Sequence, residues 1–302
     1  MLEPTLNYVL CPDATGTHRM AYWQWGEPDA GHVVLCVHGL SRQGRDFDVL
    51  ARALLARSST NLCVVCPDVA GRGQSQWLKD ATAYQVPTYA ADMVALIRQL
   101  APARLDWVGT SMGGLIGLGL LPHAQGLQPT RVGRLVLNDV GPRIQWQALQ
   151  RIAQYLGRGD TFSSLTEAAA ALWEISSSFG PHTPAQWLDL CTPMVQPDAS
   201  SPGRLRLHYD PAIALPVRAM TQAAAEQGES LLWQAYDSLK MPTLLLRGMQ
   251  SDLLSPETAQ EMTQRGPRAR LMEFEGVGHA PTLIAPDQLA AVTDFLLAPL
   301  PG

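Results

Sequence analysis

The stretch Trp107-Val-Gly-Thr-Ser-Met-Gly-Gly114 decides how the rest of the chain reads. It continues a short apolar strand candidate, Leu105-Asp-Trp-Val108, and runs into Gly113-Gly-Leu-Ile-Gly-Leu-Gly-Leu-Leu121, whose glycines demand close packing if it is to be a helix. Ser111 therefore stands at a strand-to-helix turn in the pattern Gly109-x-Ser111-x-Gly113. Such a turn suits a nucleophile: bulky neighbours would collide where the backbone doubles back, and the helix behind it offers backbone N–H groups to developing negative charge.

On either side of this turn, apolar runs alternate with helix-like stretches. Met20-Ala-Tyr-Trp-Gln-Trp25, His32-Val-Val-Leu-Cys-Val37, Leu62-Cys-Val-Val-Cys66 and Arg134-Leu-Val-Leu137 read as strands, with helices from about Phe47 to Leu55, capped by Asp46, and from Tyr89 to Leu100. From about Arg143 to Tyr236 the alternation stops, and helical stretches at Trp146 to Leu156, Leu165 to Phe179 and Met220 to Tyr236 are separated by a proline-rich segment. Strand-helix alternation resumes at Pro242-Thr-Leu-Leu-Leu-Arg-Gly248 and closes with a strand at Arg270 to Phe274 and a helix from Pro286 to Leu297. The pattern predicts an α/β fold with a mostly parallel central sheet flanked by helices: a core of residues 1–142 and 237–302, with residues 143–236 inserted as a helical cap.

Composition narrows the function. With 302 residues, 46% of them hydrophobic and 16% charged, the chain is suited to a compact enzyme domain. Twenty-two basic against 27 acidic residues, with no basic cluster, give no electrostatic reason to bind nucleic acid. No stretch has the length and unbroken apolarity of a membrane span, and Met1-Leu-Glu-Pro-Thr5 does not look like a secretory leader, so a cytoplasmic location is expected. Cys63 and Cys66 are spelled C-x-x-C, but inside a strand their sulfurs point to opposite faces, and a structural role is expected rather than a redox or metal pair.

A serine hydroxyl needs an adjacent base. His279, in Glu275-Gly-Val-Gly-His-Ala-Pro281, lies on a glycine-rich loop after a late strand, and Asp252, in Arg247-Gly-Met-Gln-Ser-Asp252, follows another. The order Ser111, Asp252, His279 is that of a hydrolase triad. Asp139, at the end of Leu135-Val-Leu-Asn-Asp139, is the rival acid; Asp252 is preferred and Asp139 assigned a structural or cap-docking role. His38-Gly39-Leu40 follows the strand ending at Val37; Gly39 lets this loop approach the nucleophile, and the backbone N–H groups of Leu40 and Met112 are expected to form an oxyanion hole. The His38 side chain is read as organising the loop rather than taking the proton.

These residues resemble the α/β-hydrolase superfamily, in particular its capped esterase and C–C-bond hydrolase branches, over nearly the whole chain. Asp68-Val-Ala-Gly-Arg-Gly-Gln-Ser75 is similar to the Asp-x-x-Gly-x-Gly-x-Ser loop of that branch, with Arg72 stabilising the loop. Serine at the nucleophile position departs from haloalkane dehalogenases and epoxide hydrolases, which use aspartate. Ala280-Pro281 departs from the tryptophan that often follows this histidine in C–C-bond hydrolases, and Gly248-Met-Gln-Ser-Asp252 is one residue longer than the commoner Gly-x-x-Asp. The resemblance implies hydrolysis of a small or medium carboxylic ester or lactone, such as an enol-lactone or a hydroxyalkanoate oligomer, without metal or organic cofactor. C–C cleavage of a vinylogous β-diketone acid, acyl transfer and a non-enzymatic binding protein are the alternatives. Trp146, Trp173, Phe179, Trp187 and Trp233 are candidates for cap packing or pocket lining, and Arg143 and His208 for carboxylate contact or cap hydrogen bonding.

Overall fold

The structure, a computed structural model, describes residues 3–299. The expected core segments, starting at residue 1 and ending at residue 302, extend past the described residues at both ends, as do Met1 and Leu2 of the expected non-leader start. The chain opens with β1 (Thr5–Asp13), β2 (Gly16–Gly26) and β3 (His32–Val37), then α1 (Asp48–Arg57), β4 (Cys63–Pro67), α2 (Val86–Leu100), β5 (Arg104–Thr110), α3 (Met112–Leu120) and β6 (Arg131–Asn138). A middle region follows with α4 (Trp146–Tyr155), β7 (Thr161–Phe162), α5 (Leu165–Ser176), α6 (Pro184–Cys191), β8 (Val195–Pro197), β9 (Leu205–Leu207), α7 (Ala214–Ala219) and α8 (Gln222–Ser238). β10 (Thr243–Gly248), α9 (Pro256–Met262), β11 (Arg270–Phe274) and α10 (Pro286–Leu297) complete the chain.

Eight strands form one sheet in the order β1-β2-β4-β3-β5-β6-β10-β11, antiparallel at β1/β2 and β2/β4 and parallel from β4 to β11. The unbroken apolar runs are explained by burial on both faces. Val33, Leu35 and Val37 face the layer of α2 and α3 with Leu105, Trp107, Leu135 and Leu137, while Val34 and Cys36 face α1 and α10 with Val64, Val108, Val136 and Leu244. Cys63 and Cys66 fall on opposite faces in the same way, and all five cysteines are free and buried.

Between β6 and β10 the chain leaves this sheet and builds a cap from α4 to α8. The proline-rich stretch, read from sequence only as a separator, contains α6 and the strands β8 and β9, which join β7 from ahead of α5 in a three-stranded sheet of order β7-β9-β8. Its strands are only two or three residues long, too short for periodicity to register. β1 carries no clear strand signal either, because its exposed Leu6, Tyr8 and Leu10 blur the alternation. Asp46 does not cap α1; it lies inside a 3₁₀ turn at Gly44–Phe47, and α1 starts at Asp48. No helix among the described residues is long and apolar enough to cross a membrane.

The end of α10 is tied to the sheet by Arg134, which is 3% exposed and donates to the carbonyls of Leu296 (2.9 Å), Ala298 (2.6 Å) and Pro299 (2.9 Å). Cationic donors suit the free carbonyls of a helix C-terminus. R134M should lose on the order of 1.5–3 kcal/mol of stability and melt several degrees lower by calorimetry; an unaltered melting temperature would contradict this account.

Candidate active site

Ser111 sits between β5 and α3 with φ 51° and ψ −117°, a left-handed conformation rare for a residue with a side chain. Its glycine neighbours explain how the turn fits. A Cβ on Gly109 would lie 2.5 Å from the Gly113 carbonyl and the Gly114 nitrogen, and one on Gly113 would press into the Val37 carbonyl of β3. The Ser111 N–H donates to the Asn138 carbonyl at 3.0 Å, so β6 holds the turn from the other side.

His279 reaches the serine from the loop after β11. Its Nε2 lies 2.9 Å from Ser111 Oγ and its Nδ1 lies 2.7 Å from Asp139 Oδ2. A carboxylate only accepts, so Nδ1–H donates to Asp139 and Nε2 is left as the acceptor for the serine proton. Asp139 is fully buried and also accepts from the Gly248 N–H at 3.0 Å and the Ser251 hydroxyl at 2.6 Å.

The acid predicted from sequence is thus corrected. Asp252 has a side chain 48% exposed and bonds bidentately to Arg151, at 2.7 and 2.9 Å, instead of to His279. Sheet order supplies the reason. β6 lies between β5 and β10, so Asp139, one residue beyond β6, stands beside the serine turn and under the histidine loop. Asp252 comes four residues after β10, far enough for the loop to carry it outward. The Gly-x-x-Asp position is filled by Ser251, whose hydroxyl bonds to Asp139. That one-residue departure was the signal in the sequence that Asp252 does not reach the histidine.

The His38-Gly39-Leu40 loop passes close by the serine: a Cβ on Gly39 would be 3.7 Å from Ser111 Cβ. His38 is fully buried, donates from Nδ1 to the Gly39 carbonyl at 2.7 Å and accepts at Nε2 from the Val69 N–H at 2.9 Å. Burial pushes its pKa down to about 3, with Arg72 and Arg42 nearby adding to the effect, so it is neutral and has no nitrogen free for the reaction. Arg72 donates to the carbonyls of Leu40 (2.9 Å) and Ala70 (2.7 Å) and to the Tyr89 hydroxyl, which fixes the peptides around Leu40. Asp68 secures the neighbouring turn by accepting from the Gly44 and Gln74 N–H groups, and burial pushes it up to about 6. Met112 is the first residue of α3, so its N–H lies outside the helical ladder, next to Ser111.

A cavity of about 100 Å³ lies over Ser111 and His279, walled by Gly39, Leu40 and Arg42 below and by Arg151, Ile152, Tyr155, Leu172 and Phe179 of the cap above. Of the five aromatic candidates only Phe179 is part of this wall. Trp187 packs edge-on against Trp173 and Phe179 and donates to the Ala169 carbonyl, while Trp233 packs on Tyr236 and under Arg265. Arg143 is paired with Glu229 and Glu261, and His208 bonds the Pro193 carbonyl and lines a separate groove of about 710 Å³.

Residues 34–292 match the model of the Alpha/beta hydrolase family. The chain belongs to the α/β-hydrolase family. It is 47% identical over 294 residues to a 3-hydroxybutyrate-oligomer hydrolase of Cupriavidus necator, covering 97% of this chain and 98% of that one. It is 26% identical over 275 residues to the 2-(acetamidomethylene)succinate hydrolase of Mesorhizobium japonicum, covering 89% and 90%. Among solved structures, an α/β-hydrolase from Novosphingobium aromaticivorans superposes with a TM-score of 0.81 at 35% identity, over 98% of this chain and 99% of that one. This α/β-hydrolase is a serine-dependent enzyme of the carboxylic ester hydrolase type.

Two outcomes follow from this geometry. D139N should lower turnover by about 10³–10⁴, since an amide cannot hold the Nδ1–H tautomer or balance an imidazolium, whereas D252N should lower it by no more than about tenfold; steady-state kinetics giving the reverse ranking would restore Asp252 as the acid. His38 gives a pH signature. An unfolded histidine titrates near 6.5 but the folded one near 3, so the unfolded chain takes up the proton first as pH falls. The stability owed to neutral His38 is whole above pH 6.5 and is lost as pH falls toward 3, at up to about 1.4 kcal/mol per pH unit. Urea denaturation from pH 7 to 4 should show a shallower decline for H38N than for the parent; parallel curves would refute it.

Proposed function

We propose that this protein hydrolyses the ester bonds of short hydroxyalkanoate oligomers through an acyl-enzyme on Ser111. The reading is carried by the continuous line of hydrogen bonds from Ser111 Oγ through His279 to buried Asp139, opening into the cavity under the cap. As Ser111 Oγ bonds to the ester carbonyl carbon, its proton passes to His279 Nε2 and Asp139 balances the imidazolium. The Leu40 and Met112 N–H groups receive the oxyanion, which Arg72 assists by holding the Leu40 peptide. Collapse breaks the C–O bond, and the alcohol fragment leaves with the proton from His279. Water then gives a proton to the same nitrogen as it attacks the acyl carbon, releasing the acid and restoring Ser111.

Residues 143–236 serve as the cap that closes this site, between core segments 1–142 and 237–302. The hydroxyalkanoate assignment rests on the 47% identity to an enzyme named for 3-hydroxybutyrate oligomers, and it is preferred to C–C cleavage because the tryptophan frequent in C–C-bond hydrolases is Ala280 here. A cytoplasmic location is supported by five buried cysteines in the free state.

The test is turnover of linear 3-hydroxybutyrate dimer and trimer beside p-nitrophenyl butyrate and a ring-fission acid. The oligomers should be cleaved, and S111A should lose about 10⁴–10⁶ of the rate. Undiminished turnover by S111A, or a strong preference for the ring-fission acid, would sink the proposal.

A further inference from the structure

The cavity wall carries an arginine that the reaction cycle does not use. Arg151 projects from α4, and Ile152 and Tyr155 of the same helix line the cavity with it. Its Nε and Nη2 are taken by Asp252, at 2.7 and 2.9 Å. A guanidinium has five N–H donors in a fixed plane, so this side-on pairing leaves about three for other acceptors, the Tyr155 hydroxyl among them. Asp252 is not part of the cavity wall, whereas Arg151 is. The countercharge is thus off the cavity wall that Arg151 helps to form, and the Tyr155 hydroxyl on the same wall is a further hydrogen-bond partner of the guanidinium.

Arg42, the other cavity arginine, differs in this respect. It too is held side-on, by Asp46 at 2.7 Å for both bonds, but Asp46 itself lines the cavity. An incoming anion would meet that carboxylate along with the arginine. Arg143, paired with Glu229 and Glu261, is not part of this wall. Arg151 is the cavity cation whose partner is out of the way.

We infer that Arg151, with Tyr155 beside it, anchors a free carboxylate on the alcohol side of the substrate, so that the enzyme selects esters of hydroxy acids with an ionised end. This rests on the ester-hydrolase reading above and deepens it. The side follows from connectivity: in a linear oligoester the hydroxyl end belongs to the acyl portion of every ester bond and the carboxylate end to its alcohol portion. Whichever bond is cut, the carboxylate departs with the leaving alcohol. A cation on the cap that holds that end sets which ester bond rests over Ser111, and release of the first product means release from Arg151.

The experiment compares 3-hydroxybutyryl-3-hydroxybutyrate with its neutral carboxamide, measuring kcat and KM for both. The parent enzyme should favour the carboxylate by about 10–100-fold in kcat/KM, chiefly through KM, as a charge-assisted pair in a partly closed site would give. R151M should abolish that preference, and R151K should restore part of it, having the charge but lacking the fork. If the parent cleaves neither compound, the hydroxyalkanoate-ester reading falls and the anchor with it. If it cleaves both without preference, or if the preference persists in R151M, the anchor alone is overturned and the ester reading stands.

Discussion

A histidine takes a proton from a serine far better while its other nitrogen is held in the right tautomer, and in this protein the hold is the 2.7 Å bond from His279 Nδ1 to Asp139. The carboxylate is itself pinned by the Gly248 N–H and the Ser251 hydroxyl, so strand ends β6 and β10 converge on one group. Asn138, the residue before Asp139, donates to Thr110 Oγ1 at 3.0 Å and to the Pro281 carbonyl at 2.8 Å, linking the serine turn to the histidine loop. Those bonds come from neighbouring strand ends in a buried sheet, where rigidity is greatest. Ser111 and His279 thus inherit their precision of placement from the sheet rather than from the loops that carry them.

The opposite wall depends on the same sheet through a different device. Gly113 lies so close to the Val37 carbonyl that no Cβ fits between them, which lets the start of α3 pack directly on β3 beside the serine turn. His38 and Arg72 then spend their polar groups on backbone around Leu40 and Ala70. Two side chains that look reactive in a list of residues are thereby committed to holding peptides. The cap meets this arrangement where the Gly278 N–H donates to the Ser178 carbonyl at 2.5 Å, so the histidine loop is braced from above as well as from the sheet.

How far the fold could be read depended on the length and regularity of each element. The apolar runs at residues 33–37, 105–108, 135–137 and 243–246 announce a doubly covered parallel sheet, and the long amphipathic stretches announce α2, α4 and α8. β7, β8 and β9 carry too few residues to show a period, and the apolar side chains of β1 are in part exposed. Within the site, Ser111 and His279 were legible because each has an unusual local setting of small residues. Arg151 was not, since nothing local distinguishes a cavity arginine from a solvated one.

Local sequence is enough to specify the strand-turn-helix around Ser111, the glycine-lined histidine loop and the α/β order of the elements, because local sterics and hydrophobic period act over a few neighbouring residues. Which carboxylate meets His279 is settled by long-range packing. Asp139 and Asp252 both follow strands, and both satisfy the chain order of a triad. Their difference lies in where β6 and β10 sit beside β5 and in how many residues follow each strand, and that geometry exists only once segments more than a hundred residues apart have packed together.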